Sequence, residues 1–464
     1  MKKTYLLFFS LICLVATTTV AQYRDLLNFN GTNGRTPYGD VTVVGHLLYG
    51  MTFNGGANGD GCIFSVDTNG NGYRDLFDFN GTNGKAAGGD LILAGNKFFG
   101  MTSQGGANDS GCIFSIDTNG TAYHDLLDFD GPNGNLPCGS LTISGKMMFG
   151  MTFEGGPNTD GLVFSLDTDG THFKHVLDFT STNGGEPYGN LTLIGKTLYG
   201  LTAGGGSSGL GNLFSVDTTG GSPRDLYDFI GTNGEYPNGS LLLIGHTFYA
   251  TNYGGGANNQ GNIFAIDSNG TGFRDLYDFT GGTDGRHLEG TLTLMSGVLY
   301  GVSKAGGANG GGNIFSLDTN GTNFADLYDF CTGSGTGPIN QLKPLGNILY
   351  GTSPKCGTNL DGNVFSYTTP NIPNSINNVA DANAELNVYP NPSTGKFTIQ
   401  LSGIQNSAVE VYNVLGEKIY SNQFVIRNSP FVIDLTSQPN GIYLYRLVNI
   451  SGDLTGEGKM IIQK

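Results

Sequence analysis

Leu48-Tyr49-Gly50-Met51-Thr52-Phe53-Asn54-Gly55-Gly56, followed shortly by Gly61-Cys62-Ile63-Phe64-Ser65-Val66-Asp67, is the stretch from which the fold is read. Its aromatic-Gly-x-Thr core returns as Phe99–Thr102, Phe149–Thr152 and Tyr199–Thr202. It returns more loosely as Tyr249–Asn252, Tyr300–Ser303 and Tyr350–Ser353. The spacing is 50 residues throughout, except for one step of 51 between Tyr249 and Tyr300, which makes seven units. The first unit carries four runs rich in β-branched and aromatic residues: Val41–Val44, His46–Thr52, Cys62–Asp67 and Arg74–Phe79. Gly, Asn and Asp separate them, as turns between short strands require.

Four strands per unit of about 50 residues is the arithmetic of a β-propeller blade, and a blade buries both faces only against its neighbours. The frame of the repeat is offset. The chain opens with a run of the fourth type, Arg24–Phe29, and its seventh unit stops after a run of the third type, Asn363–Tyr367. The expectation is an all-β, seven-bladed propeller over residues 22–370, its ring closed by the N-terminal strand, with no free sheet edge.

These units resemble the Gloeobacter–Verrucomicrobia ("GloVer") tandem repeat, through Leu48–Gly56 and Gly61–Asp67 and their counterparts. The resemblance implies an exported propeller-like array, often with a separate C-terminal sorting module, and no established activity.

Composition agrees with such a chain. Of 464 residues, 78 are Gly, 29 Phe and 22 Tyr, with 38% hydrophobic and only 13% charged. Aromatics at that level exclude simple disorder, and the glycines follow no collagen period. The net charge of −16 is concentrated in residues 22–370, which hold 14 basic against 31 acidic residues. That balance repels phosphate backbones, so nucleic acid is not an expected partner.

Lys2 and Lys3, the apolar run Leu6–Ala16 and Thr19-Val20-Ala21 read as a secretory signal peptide over residues 1–21. No later segment is long and apolar enough for a transmembrane helix. Residues 371–384, within a stretch rich in Pro, Asn, Ser and Ala, read as a linker. Residues 385–464 show the spacing of a small β-sandwich, with strands near Leu386–Tyr389, Lys396–Leu401, Ala408–Tyr412, Phe431–Leu435, Gly441–Asn449 and Glu457–Ile462.

This module resembles the type A C-terminal sorting domain of the type IX secretion system of Bacteroidetes. The matching residues are Asn387-Val388-Tyr389-Pro390-Asn391-Pro392, Val411-Tyr412-Asn413, Gly416-Glu417, Gly441-Ile442-Tyr443 and Gly458–Lys464. The resemblance implies passage across the outer membrane by the type IX machinery, after which the domain is cleaved or exchanged for a surface anchor. The protein is therefore expected to be secreted or attached to the outer cell surface.

Three residue sets are candidates for chemistry on the propeller face where loops meet the central channel. The residue opening the first run of each unit is polar: Asp40, Asp90, Ser140, Asn190, Ser240, Thr291 and Gln341. Asp40 and Asp90 fall in adjacent blades and would suit calcium as a cofactor. The preferred reading is that the ring bonds loop amides and channel water. The residue after the second run is aromatic in alternate early units, Phe53, Phe153 and Tyr253, with Tyr38 and Tyr188 in nearby loops. Such aromatics either stack on sugar rings or pack between blades.

The loop that carries the extra residue holds Asp284, Arg286, His287 and Glu289, the only constellation with acid–base potential. Cys331 and Cys356 lie in loops expected on one face of the last blade and are expected to form a disulfide. The favoured function is a non-catalytic binding propeller for an extracellular glycan or a surface protein. An enzyme acting on extracellular polysaccharide and a structural surface or matrix protein are the alternatives.

Overall fold

The computed structural model describes residues 22–330, 337–370, 386–401, 407–413, 418–424, 431–449 and 454–464. Among them there is no helix, and the strands form four-stranded sheets in regular succession. The chain divides into two units, residues 1–374 and 375–464. The expected leader at 1–21 and the linker at 371–384 lie outside the described residues.

In the first sheet Thr42–Val44, Leu47–Met51, Cys62–Asp67 and Arg74–Asp78 pair antiparallel in chain order. Five more sheets repeat the order, from Ile92–Ala94 in the second to Ala325–Asp329 in the sixth. The seventh sheet combines Lys343–Leu345, Ile348–Ser353 and Asn363–Thr368 with Gln22–Asn28 from the start of the chain. The first strand of the third sheet is longer than its counterparts, running Asn135–Ser144.

The third strand of each sheet is buried along its length, whereas the fourth is half exposed. Alternate side chains of a strand point to opposite faces, so a strand buried on both must lie between two layers. Phe64 joins Phe29, Val41, Leu48, Tyr350 and Val364 in one cluster. Its neighbour Ile63 joins Tyr49, Phe79, Phe98 and Phe114 in another. Seven such clusters occur, one between each successive pair of sheets and one between the seventh and the first.

The Gly of the aromatic-Gly-x-Thr motif has a steric cause. A Cβ on Gly50 would stand 2.7 Å from the Phe64 ring, and one on Gly100 2.6 Å from Phe114. The register slips by one residue between the third and fourth strands of the first six sheets, as at Ile63/Phe64. A bulge of this kind adds twist.

A second set of glycines sets the approach of one sheet to the next. A Cβ on Gly39 would lie 2.0 Å from the carbonyl oxygen of Gly89, and one on Gly89 1.9 Å from that of Gly139. Backbone cannot yield there, so Gly89→Ala is expected to cost at least the ~1–3 kcal/mol typical of overpacking. The adjacent Gly88 has nothing nearer than Phe53 at 3.9 Å. Gly88→Ala is therefore expected to stay within about 0.5 kcal/mol of the parent. Urea unfolding of both variants tests this, and equal midpoints would refute the packing argument.

The second unit pairs a three-stranded sheet (Leu386–Tyr389, Lys396–Leu401, Phe431–Asp434) with a four-stranded one (Lys418–Phe424, Ser407–Tyr412, Gly441–Asn449, Leu454–Ile462). Both contribute to one core around Phe397, Val409, Val411, Ile433, Tyr443 and Met460. Lys418–Phe424 is a strand the sequence reading omits. Its Ser-Asn-Gln stretch is polar, yet Ile419 and Tyr420 pack against the core.

Candidate functional site

The polar residue that opens each unit points its oxygen at the unit before it. The Asp40 N–H donates to Asp90 Oδ1 (2.7 Å), Asp90 N–H to Ser140 Oγ (2.8 Å) and Ser140 N–H to Asn190 Oδ1 (2.6 Å). Asn190 N–H donates to Ser240 Oγ (2.7 Å) and Ser240 N–H to Thr291 Oγ1 (3.0 Å). Gln341 N–H then donates to Asp40 Oδ1 (2.7 Å), which returns the series to its start. Between the sixth and seventh units the bond comes instead from the Gln341 side chain, Nε2 to the Leu292 carbonyl at 3.2 Å.

These residues therefore join units before they face any ligand. Their oxygens accept from backbone N–H groups, while the hydroxyl protons of Ser140, Ser240 and Thr291 and the amide N–H of Asn190 find no acceptor among the described residues.

Asp40 carries the highest electrostatic load. It is 6% exposed. Burial and the neighbouring Asp90 push its carboxyl up to about 7, against the pull of Lys343. Lys343 Nζ lies 2.7 Å from Asp40 Oδ2 and bonds Gln341 Oε1 at 2.6 Å. Burial works against the Lys343 charge, but Asp40 and Asp90 hold its pKa above the ordinary value. The cation beside Asp40 is thus supplied by the chain. Both Asp40 oxygens are engaged and Asp90 Oδ1 accepts from Asp40 N–H, so of this pair only Asp90 Oδ2 has no partner among the described residues to offer calcium. The sequence reading overlooked Lys343, although Thr42, Ile92, Thr142, Thr192, Leu242 and Thr293 stand at its position in the other units.

Above this layer lies a cavity of about 280 Å³ to which all seven units contribute. Each supplies the residue just before the glycine that meets the next sheet (Gly39 in the first unit), or before Asn340 in the seventh. Tyr38, Gly88, Cys138 and Tyr188 come from the first four units, and Asn238, Glu289 and Ile339 from the rest. No two adjacent units match at this position, in contrast to the repetition around it. That contrast is visible in the sequence, yet Tyr38 and Tyr188 are candidates there as loop aromatics and Glu289 as part of the irregular loop.

The aromatics form separate pairs. Phe53 meets Tyr38 edge-on (5.0 Å between ring centroids) and lines the cavity. Phe153 meets Tyr188 edge-on at 6.2 Å. Tyr253 stacks on His287 at 4.5 Å, with Lys304 Nζ 5.6 Å from its ring centre. Phe153 and Tyr253 are not among the cavity's lining residues. Burial raises the Tyr188 hydroxyl above the ordinary tyrosine range, helped by Cys138, Glu289 and Tyr38. The ring itself is 40% exposed.

The four residues of the irregular loop are not assembled into one group. Asp284 accepts from Thr280 N–H (2.7 Å), Thr280 Oγ1 (2.6 Å) and Tyr277 Oη (3.3 Å), a turn-closing role. Arg286 is exposed. His287 lies against Tyr253, and burial and nearby Arg286 and Lys304 lower its pKa. Glu289 turns into the cavity and takes Lys304 Nζ at 2.7 Å on Oε1.

Cys356 is buried and disulfide-bonded; Cys331, its expected partner, lies outside the described residues. Cys62, Cys112 and Cys138 are free thiols, each pushed up to about 12 by burial.

The sequence pattern of the Gloeobacter/Verrucomicrobia repeat matches residues 14–192, 137–272 and 244–404. That of a secretion system C-terminal sorting domain matches residues 387–463. No curated protein sequence matches the chain. Similar solved structures include TolB from Acinetobacter baumannii (13% identity, TM-score 0.37), with 56% of this chain and 58% of TolB covered. The extracellular domain of BT4673 from B. thetaiotaomicron is 12% identical at a TM-score of 0.51, with 87% of this chain and 48% of that one covered. An oligogalacturonate lyase in complex with manganese is 12% identical at 0.49, with coverage of 77% and 95%. The chain thus spans about half the length of the BT4673 domain, and at these identities the likeness concerns the fold alone.

Proposed function

The chain belongs to the Gloeobacter/Verrucomicrobia repeat family and ends in a type IX secretion system C-terminal sorting domain, and on that premise we propose that its repeats form a closed seven-bladed propeller that binds a ligand outside the cell. The sorting domain marks the protein as secreted or attached to the cell surface. It is also the segment through which the type IX machinery would handle the chain.

Closure is supported by the pairing of Gln22–Asn28 with Asn363–Thr368, by the apolar cluster between the seventh and first sheets, and by the Gln341–Asp40 bond. Binding is supported above all by the axial cavity, where no two neighbouring units present the same residue before the glycine. A ring of near-identical blades needs no such variety to hold itself together.

The proposed ligand class is an extracellular glycan, with a surface protein as the alternative. The purified protein screened on a polysaccharide array, with and without calcium, tests it. Tyr38→Ala/Tyr188→Ala is expected to weaken binding about tenfold or more, since two stacking surfaces are lost, with the melting temperature unchanged. A blank array with folded protein sinks the glycan reading and leaves the protein ligand. Binding untouched by the double variant would move the site off the axis.

A further inference from the structure

The axial cavity has two unlike walls. On the side of the seventh, first and second units lie Ile339, Tyr38 and Phe53, with Gly88 adding no side chain. The charges beneath them are engaged with one another, Asp40 with Lys343. On the side of the fourth to sixth units lie Tyr188, Asn238 and Glu289, while the third unit between the two sides adds Pro137 and Cys138. The Asn238 side chain makes no hydrogen bond among the described residues, and Lys304 engages only Oε1 of Glu289, so an amide and a carboxylate oxygen face the cavity uncommitted. Below them the hydroxyls of Ser140, Ser240 and Thr291 have their oxygens tied to backbone N–H groups and their protons to spare.

Resting on the glycan reading above, we propose that this cavity takes one neutral hexose unit. Its C–H face lies on Tyr38, Phe53 and Ile339, and its hydroxyl edge meets Asn238, Glu289 and the floor hydroxyls. Three properties of the cavity favour this ligand. At about 280 Å³ it falls just below the ~300–1,000 Å³ range of ligand pockets, room for one ring rather than a chain of them. Its polarity is divided, as a pyranose divides apolar faces from a hydroxyl rim. Its lining includes no Lys or Arg, its carboxylates at Asp40 and Glu289 are already matched by Lys343 and Lys304, and Asp90 accepts from Asp40 N–H and acts on the Lys343 charge, so a formally charged sugar gains no wholly unengaged partner there. Tyr38 and Tyr188 stand three units apart in the series, far enough round the axis to contact a ring from two sides.

The test is isothermal titration of the full chain with the methyl glycosides of glucose, galactose, mannose and N-acetylglucosamine. At least one is expected to bind. Gly88→Phe should abolish that binding: Gly88 lacks a positive φ, and a Cβ there meets nothing nearer than 3.9 Å, so the ring projects into the cavity without disturbing the backbone. Asn238→Ala is expected to weaken binding about tenfold, the loss of one hydrogen-bonded contact. It serves as the second probe should Gly88→Phe fold poorly, and melting curves check both variants. Equal affinity in the parent and both variants overturns the cavity as the site. If no methyl hexoside binds while the polysaccharide array is positive, the single-hexose inference falls and the glycan reading stands. If both are blank, both fall.

Discussion

Removing residues 22–28 is expected to leave a repeat region that no longer unfolds in a single cooperative transition. Gln22–Asn28 is the fourth strand of the seventh sheet, paired along its length with Asn363–Thr368. Its Tyr23 ring stacks on Tyr328 (4.0 Å, 3° between planes) and lies 5.4 Å from Phe365. The Tyr23 hydroxyl accepts from Asn363 Nδ2 at 2.8 Å. Leu26 is buried in the cluster between the seventh and first sheets. At ~1.5–3 kcal/mol per buried large side chain, the loss of Tyr23 and Leu26 with their ladder amounts to roughly 5 kcal/mol. That is comparable to the whole stability of many domains, ~5–15 kcal/mol.

The strand Asn363–Thr368 would also become an unpaired edge, the usual route to aggregation. Urea and thermal unfolding of the truncated chain check this, and a synthetic peptide of residues 22–30 added in trans should restore part of the lost stability. An unchanged midpoint would mean that the N-terminal strand is dispensable, and the closed ring would then lose its main support.

The second large effect is expected at the join between the seventh and first units. Lys343→Met should destabilise the fold by about 3–5 kcal/mol, the usual cost of leaving a buried charge without its partner. It leaves the Asp40 and Asp90 carboxylates without the lysine that offsets their repulsion. Asp40→Asn should cost far less. Asp90 still balances the lysine, and the asparagine side-chain oxygen still accepts from Gln341 N–H. Adding Asp40→Asn to Lys343→Met should therefore recover stability rather than add damage.

The pH dependence follows from the direction of the shift. Burial and Asp90 hold the Asp40 carboxyl up to about 7 in the folded state, above its unfolded value of ~3.9. The folded state thus binds the proton more tightly. The resulting stabilisation is complete below the unfolded value and is lost as pH rises through about 7. Removing Lys343 pushes the carboxyl further up, so the Lys343→Met deficit should be larger at pH 8 than at pH 5. Urea midpoints for the four proteins at both pH values decide it. An Asp40→Asn loss as large as that of Lys343→Met would contradict the account.

Particular residues show how far the sequence could be read. The strands at 42–44, 47–51, 62–67 and 74–78 fall within the runs marked by aromatic and β-branched residues, because their ends are set by local turn chemistry. The strand Lys418–Phe424 was missed, because its burial comes from a core assembled by distant strands rather than from its own polar sequence. At the site, Asp40 and Asp90 were legible as a polar pair, but Lys343 was not. The ammonium reaches Asp40 only because residues some 300 positions apart meet at the join. Phe53, Phe153 and Tyr253 occupy one register position and suggested one platform, yet each pairs with a different loop ring, since adjacent loops differ in the partners they offer.

The repeat length, the four strands per unit, the offset of the N-terminal strand and the sorting module were determined by the sequence alone, because each depends on periodicity or on short local patterns. Which side chains share a cavity was decided only by the tertiary structure. One position per unit, the residue before the glycine or Asn340 that opens the unit, is carried to one cavity by seven separate sheets. The chain separates Tyr38 from Tyr188, Asn238 and Glu289 by 150 residues or more, and only the stacking of the sheets, set by backbone contacts at Gly39, Gly89 and Gly139, brings them together.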